Sequence, residues 1–339
     1  MCFAMDLVSN EIERMAENGT ATFANPGDYQ AGIGDASVDL IVTGGGDFNA
    51  RLTWLSLRRL HVLHASENLP RIAFLSLSPA LAFVSFPARA GPPLTYDGHG
   101  LQFGDVVFHS RAERMHQRTN GVSQWGLISL PPEQLAAGSK ALTGLKLTSP
   151  AAGRVLRPPR SAATRLLRFH SKACRLAETR HELVVKPEVA RALEQELLHA
   201  LVNCLTADDG NGTLKKRCHH ADIMVRFEEA LTAHSQQLNM PALCSAIGVP
   251  ERTLRVCCSE FLGMSPMRYL LLRRLNLVRS ALQRADPANA SVAEVARSYH
   301  FQELGRFAVT YRTVFGEMPS ATLRRQPRRS STDHGRSSQ

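Results

Sequence analysis

The chain lacks an uninterrupted apolar run of the roughly 20 residues that a membrane-spanning helix needs. Its longest apolar stretch, residues 72–86, is interrupted by Ser and Pro and is more typical of strands. Residues 1–19 carry acidic side chains early and lack a basic segment followed by an apolar core, so we do not expect a secretory signal peptide. These absences predict a protein that has no membrane partner.

Cysteine pairing is a second absence. The seven cysteines are an odd number without a paired spacing, which favours a cytoplasmic protein over a secreted disulfide scaffold. No Ser/His/Asp, Walker or dinucleotide-binding motif stands in its proper context. We therefore expect neither an enzyme nor a bound cofactor.

Acidic residues are too few to balance the basic ones, 30 against 40, which leaves a formal net charge of +10. Such a charge favours polyanionic partners, because Lys and Arg contacts to phosphate supply most non-specific affinity for DNA. With 339 residues, of which 44% are apolar, the chain is long enough for two domains with separate cores.

Two segments near the C-terminus, residues 242–266 and 292–319, read as one helix-turn-helix unit written twice. Each unit combines a short helix of small residues, a tight turn and a longer helix with exposed Arg. Aligned on their ends, the units match Leu254 with Phe307, Gly263 with Gly316, and Pro266 with Pro319. Two such units can read two nearby stretches of a DNA major groove. A repeated packing unit without a ligand is the alternative, which the basic polar faces disfavour.

The start of each longer helix is where a recognition helix reaches base edges. We expect base contacts from Arg252, Thr253, Arg255, Gln302, Glu303 and Arg306. Between the units, a helix of some 20 residues would span about 30 Å, close to the roughly 34 Å between successive major-groove turns. We expect phosphate contacts from Arg268 and Arg273 on this connector and from Arg312 on the last helix.

This region, about a third of the chain, resembles the DNA-binding domain of the AraC/XylS family of bacterial transcription regulators. The resemblance rests on GVPERTL (248–254), FLGMSPMRYLLLRRLNLVR (261–279), SVAEVA (291–296) and GRFAVTYRTVFGEMPS (305–320). The wording is similar to the branch that contains ethanolamine-responsive regulators. The resemblance implies a homodimeric activator that binds double-stranded DNA, works with RNA polymerase and responds to a small-molecule effector.

Three positions depart from the family's pattern. Val256 and Val309 stand where members often carry a polar or Arg base contact, which leaves the base preference at those steps open. His300 replaces a usual Gly before Phe301, and we expect slight strain in that turn.

The N-terminal half has a different pattern, with short apolar runs separated by turn signals from about residue 37 to 130. Such runs predict a small antiparallel barrel or sandwich. Two amphipathic helices follow, over residues 162–176 and 189–205, and either cover the barrel or pair with a second subunit. Family members often join the reader to a cupin-like domain that binds ligand and dimerises. The expected fold is therefore multidomain α+β, with an N-terminal cupin-like β-barrel plus two helices and a C-terminal all-α double helix-turn-helix.

The expected domain organisation follows from these shifts in composition. It comprises a flexible lead-in (1–36), a cupin-like sensor and dimerisation domain (37–206), a linker (207–220), the double helix-turn-helix domain (221–325) and a disordered tail (326–339).

Other chemistry-bearing residues have weaker readings. His99, His109 and His116 lack the His-x-His spacing of metal-using cupins, so surface or core roles are favoured. Arg111, Arg114 and Arg118 could bind an anion, although a solvated loop face is favoured. The Cys218-His219-His220 run lacks a second ligand pair, and Cys257-Cys258 fits a core better than redox chemistry. We expect no metal site.

Two rival functions stay open at this point. One is a cupin-type enzyme that carries a DNA-targeting module, and bound stoichiometric metal would favour it. The other is an architectural DNA binder without sequence preference, which would show a strong salt dependence on any DNA.

Overall fold

The computed structural model describes residues 18–207, 218–233 and 238–325, and the backbone of 331–332. The strands are β1 (Gly19–Phe23), β2 (Ala36–Val42), β3 (Ala50–Ser56), β4 (His61–Glu67), β5 (Arg71–Leu77), β6 (Ala82–Pro87), β7 (Leu94–Tyr96), β8 (His99–Leu101), β9 (Val106–Phe108), β10 (Arg114–Thr119), β11 (Ser123–Leu130), β12 (Arg154–Leu156) and β13 (Ser331–Thr332). The helices are α1 (Pro26–Ala31), α2 (Pro132–Thr143), α3 (Arg160–Thr179), α4 (His181–Val184), α5 (Pro187–Thr206), α6 (Cys218–Ala233), α7 (Met240–Ile247), α8 (Glu251–Leu262), α9 (Pro266–Arg284), α10 (Val292–Ser298), α11 (Leu304–Phe315) and α12 (Pro319–Arg324). Within these described ranges, no helix is both long and apolar enough to cross a membrane.

The strands form two antiparallel sheets, and neither sheet closes on itself. The large sheet has the order β12-β9-β6-β11-β4-β3-β1-β13, and the small sheet has the order β2-β5-β10-β7-β8. In the large sheet, Leu127 of β11 lies opposite Leu63 of β4 and Ser85 of β6. The sheet-rich N-terminal domain is confirmed, and the two open sheets are closer to a sandwich than to a single closed barrel.

Both sheets are covered on both faces, and the alternation of side chains along each strand explains how. In β5, Ala73 and Leu75 face the large sheet, whereas Ile72 packs into the core of the C-terminal helices. In β2, Leu40 faces the large sheet and Ile41 joins the helical core. The small sheet therefore lies between the large sheet and the helical domain.

The two amphipathic helices expected in the N-terminal half are α3 and α5. They pack on the outer face of the large sheet, where residues such as Leu166 and Leu201 meet Leu55, Val62 and Ile128. Because their apolar stripes are buried within the chain, the role of intramolecular cover is observed.

Residues 18–36, expected to belong to a flexible lead-in, are instead an ordered part of the N-terminal domain. They supply β1 at the large sheet and the helix α1, which Asn25 caps by accepting a hydrogen bond from Gly27 N at 2.7 Å. Tyr29 is fully buried and donates a hydrogen bond to Glu67. The polar composition of this stretch hid its two buried aromatic residues, Phe23 and Tyr29. Residues 1–17 of the expected lead-in lie outside the described residues.

The expected linker and tail are only partly described. Residues 208–217 of the linker fall outside the described part, and residues 218–220 form the first turn of α6 rather than linker. Of the tail, only β13 is described, and it pairs with β1.

Candidate nucleic-acid interface

The first helix-turn-helix unit consists of α7 and α8, and its ends follow from local chemistry. Asn239 caps α7 by accepting a hydrogen bond from Ala242 N at 2.9 Å. Gly248, with φ of 74°, ends α7 in the left-handed region, and Gly263 ends α8 in the same way at 71°. Leu243, Leu254 and Phe261 are buried in the core of the helical domain, which fixes α8 across α7.

The second unit consists of α10 and α11 and repeats this plan with different residues. Ser291 and Glu294 form a capping box at the start of α10. His300 takes the place of Gly248 and has a φ of 63°, as the sequence predicts for that turn. Phe301, Phe307, Tyr311 and Phe315 form a row of ring contacts with centroids 4.7–5.6 Å apart. The aromatic row holds α11 in the position that α8 has in the first unit.

The helix α9 connects the two units as one straight element. Ser265 caps it by accepting a hydrogen bond from Arg268 N, and its 19 residues span about 28 Å at 1.5 Å per residue. One face is buried in the core of the helical domain through Tyr269, Leu272, Leu275, Val278 and Leu282. The expected connector is therefore present, rigidly packed and of the expected length.

The residues expected to contact bases lie on the recognition helices α8 and α11, except for Gln302 and Glu303, which directly precede α11. Arg252, Arg255, Gln302, Glu303 and Arg306 are exposed, whereas Thr253 is half-buried. A shallow groove of about 480 Å³ runs along α8 and is lined by Glu251, Arg252, Arg255, Val256 and Ser259. The groove therefore brings acidic and basic side chains together on one exposed face of α8.

Two of these arginines are held by a carboxylate on their own helix. Arg255 pairs with Glu251 at 2.6 Å, and Arg306 pairs with Glu303 at 3.1 Å. Exposed pairs of this kind contribute about 0.3–0.5 kcal/mol, so either guanidinium can leave its partner for a base or phosphate. Sequence reasoning missed Glu251, although its spacing of four residues from Arg255 is the signal that could have found it.

Of the three residues expected to contact phosphate, the structure leaves Arg268 and Arg312 exposed. Arg273 is different, because its guanidinium lies between Asp39 of β2 at 2.6 Å and Glu228 of α6 at 2.8 Å. Its side chain is 21% exposed and joins the two domains. Arg273 therefore already has two carboxylate partners inside the protein, and its contact with phosphate stays a prediction.

Glu228 is the centre of that contact between the domains, and no sequence pattern pointed to it. Its side chain is 2% exposed and accepts hydrogen bonds from His116 Nε2 at 2.9 Å, Tyr269 OH at 2.7 Å and Arg273 at 2.8 Å. Burial raises the pKa of such a carboxyl, but the hydrogen bonds and charges of His116 and Arg273 outweigh burial and hold the pKa of Glu228 below its ordinary value. The group is therefore a buried, ionised carboxylate.

A second set of contacts holds α9 to the free edge of the small sheet. The side-chain amide of Asn276 donates to Val42 O at 3.0 Å, and its oxygen accepts from Val42 N at 3.1 Å. Gly46 N donates to Phe315 O at 3.2 Å, and Arg325 pairs with Asp47 at 2.6 Å. The N-terminal domain therefore contacts the connector α9 and the end of α11, whereas the outer faces of both recognition helices remain exposed.

The remaining sequence candidates have structural partners. His109 is fully buried and lies 2.8 Å from Ser85 Oγ and 2.9 Å from Glu113 Oε2. Arg114 pairs with Glu229, and Arg118 fits against Gly263 so closely that a Cβ there would overlap its guanidinium. Arg114 and Arg118 therefore contact the helical domain, whereas Arg111 donates a hydrogen bond to Pro79 O within the N-terminal domain. Among the residues that the structure describes, no group of three or more His, Cys, Asp or Glu side chains could hold a metal ion.

The cysteine and histidine runs are also accounted for by packing. Cys257 and Cys258 are buried, and burial raises the pKa of both thiols, that of Cys257 to about 11. Such thiols are poor nucleophiles. His220 lies in the first turn of α6, with Nδ1 2.9 Å from a carboxylate oxygen of Glu260.

One cavity of about 440 Å³ lies in the N-terminal domain, beside β3, β4 and β11 of the large sheet. Its wall mixes apolar and polar side chains: Trp54, Leu55, Val62, Leu63 and Leu127 with Asp35, Ser56, His61 and Ser129. The size and mixed lining suit a small organic molecule. The alternating pattern of the strands predicts a filled sheet interior, and no sequence signal marked this opening.

Comparison with known proteins bears on the C-terminal third. Residues 243–325 match the family model described as a helix-turn-helix domain. This part of the chain is therefore similar to helix-turn-helix domains. The chain is 42% identical over 98 residues to the probable thc operon regulatory protein of Rhodococcus erythropolis, covering 29% of this chain and 30% of that protein. It is 36% identical over 100 residues to the XylDLEGF operon transcriptional activator 2 of Pseudomonas putida, covering 30% of this chain and 62% of that one.

The chain spans under two thirds of the length of both relatives. Among solved structures, the AraC-like transcriptional activator CuxR aligns with a TM-score of 0.40 and 16% identity, covering 76% of this chain and 94% of that chain.

Proposed function

We propose that this protein is a sequence-specific, DNA-binding transcription activator of the AraC/XylS type, which acts in the cytoplasm under the control of a small molecule. One observation carries the proposal: two recognition helices built alike, α8 and α11, present exposed arginine faces and are joined by a rigid connector of about 28 Å. That spacing suits two successive turns of a major groove. The likeness to ethanolamine-responsive regulators stays a prediction from the sequence of the C-terminal third.

The test is selection of binding sites by the full-length protein from random duplex DNA at near-physiological salt. We expect enrichment of a bipartite element whose halves lie about one helical turn apart. An architectural binder would enrich no sequence and would bind all DNA with the same strong salt dependence, which would overturn the proposal.

Control by a signal is the second part of the proposal, and the cupin-like N-terminal domain would be the sensor. The cavity of about 440 Å³ supplies room for an effector. The contacts of Arg273 and Asn276 with β2 supply a physical connection from the small sheet to the connector. A ligand that shifts the small sheet would therefore alter the positions of the recognition helices α8 and α11. Dimerisation, and contact with RNA polymerase, belong to this proposal through the family resemblance.

Asn276→Ala tests that connection without touching either recognition helix. If the sheet controls the readers through the connector, promoter output in cells should lose its dependence on the inducing condition while the selected DNA element is still bound. An unchanged response in Asn276→Ala and in Arg273→Met would show that the signal takes another route.

A further inference from the structure

The two recognition helices carry an exposed valine at the same position. Val256 lies two residues after the core residue Leu254 and seven before Gly263, and Val309 lies two after Phe307 and seven before Gly316. Their side chains are 43% and 69% exposed. Single exposed apolar residues are ordinary on protein surfaces, but the repetition at one position of a duplicated unit calls for a shared cause.

The neighbours of each valine define the surface that it belongs to. At 3.6 residues per turn, Arg252 and Ser259 share the face of Val256, and Arg306 and Arg312 share the face of Val309. Val256 also lines the groove of about 480 Å³ on α8. Both valines therefore lie in the middle of the basic faces that the proposed function turns towards DNA.

Only one feature of the major groove is complementary to a small aliphatic side chain. Each base pair presents hydrogen-bond donors and acceptors there, and thymine adds the C5-methyl group. A valine between phosphate- and base-seeking arginines cannot satisfy a donor or an acceptor, so it is favourable only against that methyl group. Valine is also a weaker helix former than the polar residues that suit an exposed position, which gives no local reason for it.

We propose that Val256 and Val309 each contact the C5-methyl group of a thymine, so that the two half-elements of the operator share a thymine at the same relative place. The inference rests on the proposed function and deepens it by naming a base. The neighbouring position differs between the units, because Arg252 of α8 aligns with Gly305 of α11, which has no side chain. Arginine favours guanine. At the step that Arg252 reads, the first half-element is therefore expected to carry a guanine preference that Gly305 cannot supply in the second.

The experiment removes the methyl group and nothing else. Duplexes of the selected element are made with deoxyuridine in place of thymidine at the shared position of one half, of the other half, or at a thymine outside both. The full-length protein is titrated against each, and the same series is run with Val256→Ala, Val309→Ala and Val122→Ala. Val122 is a matched control, since it is 61% exposed in the loop between β10 and β11.

For the wild type, each deoxyuridine at a shared position should weaken binding about fourfold, the effect of one buried methyl group. Val256→Ala should become insensitive to deoxyuridine in one half only, and Val309→Ala in the other half only. Val122→Ala should behave as the wild type. Circular dichroism of each variant checks that the helices are intact.

Different failures have different meanings. If a bipartite element is selected but its halves share no thymine, or if deoxyuridine has no effect on the wild type, the inference is overturned and the proposed function stands. If the valine variants keep the full sensitivity to deoxyuridine, another side chain makes the contact and the inference is again overturned. If no element is enriched, the proposed function itself fails.

Discussion

The two helix-turn-helix units have the same plan but are held to the rest of the protein in different ways. The first lies beside a buried ionic contact in which Glu228, 2% exposed, meets Arg273 and His116. The second is held by backbone contacts of Gly46 with Phe315 and by Arg325 with Asp47, a pair whose side chains are 43% and 56% exposed. Local sequence therefore builds each unit, whereas residues unrelated by the repeat decide its attachment.

The two attachments should differ most in stability when one carboxylate is neutralised in each of them. Glu228→Gln leaves Arg273 and His116 facing an uncharged group in a buried site, and we expect a loss of about 3 kcal/mol in the free energy of unfolding. Asp47→Asn breaks an exposed pair and should cost under about 1 kcal/mol. Urea denaturation at pH 7 measures both. Equal losses would mean that the two attachments are energetically alike.

The pH dependence of stability gives an independent check on the contribution of Glu228. Because the native pKa of Glu228 is lowered, the stability that it contributes is complete above the ordinary Glu pKa of about 4.3 and is lost as the pH falls below that value. Glu228→Gln should therefore flatten this part of the stability curve relative to the wild type. Asp47→Asn should leave it in place.

On DNA, the comparison is between Arg252 in the first unit and Gly305 in the second. Arg252→Ala should weaken binding to the selected element by roughly 1–3 kcal/mol and binding to random DNA by less, because a base contact is lost. Equal weakening on both DNAs would make Arg252 a phosphate contact. Competition titrations at fixed salt measure the difference.

Gly305→Arg reverses the same comparison. A Cβ on Gly305 would have nothing within 4 Å, so the new side chain can be accommodated without repacking. We expect the variant to gain a guanine preference in the second half-element and to make the two halves more alike, as judged by repeating the selection. An unchanged selected element would show that this position of α11 does not face bases.

The units also show what the sequence could and could not predict. The two helix-turn-helix units and their exposed arginine faces follow from patterns within about 25 residues, and the structure contains both. The ordered structure of residues 18–36 was missed because two buried aromatic residues, Phe23 and Tyr29, outweigh a polar composition. The ion pairs of Arg273 were not foreseen, because its partners Asp39 and Glu228 are far away in sequence and come together only through the packing of β2 and α6 against α9.

Substitutions in the turns of the two units should have smaller effects on stability, and the two effects should have opposite signs. Gly248 has a φ of 74°, and a Cβ there would meet only Arg226 Nη1 at 3.9 Å, so Gly248→Ala should cost about 1 kcal/mol through backbone strain alone. His300 has a φ of 63° and already bears that strain, so His300→Gly should stabilise the chain by up to about 1 kcal/mol. Thermal unfolding of both variants checks the sign. A loss of stability in His300→Gly would mean that the imidazole makes a favourable contact which offsets the strain.

The smallest effects should come from arginines that contact DNA phosphates. The salt dependence of DNA binding compares such contacts on the connector with those on the second unit. Arg268→Ala and Arg312→Ala should each reduce the slope of log K against log salt by about 0.9, the release of one counterion from duplex DNA. Arg273→Met should leave the slope unchanged, because in the wild type Asp39 and Glu228 already neutralise its charge. Since Arg273→Met also weakens the attachment between the domains, its affinity for DNA can change at every salt concentration. The slope separates the two roles, and a slope reduced by Arg273→Met would mean that the guanidinium leaves Asp39 and Glu228 when DNA is bound.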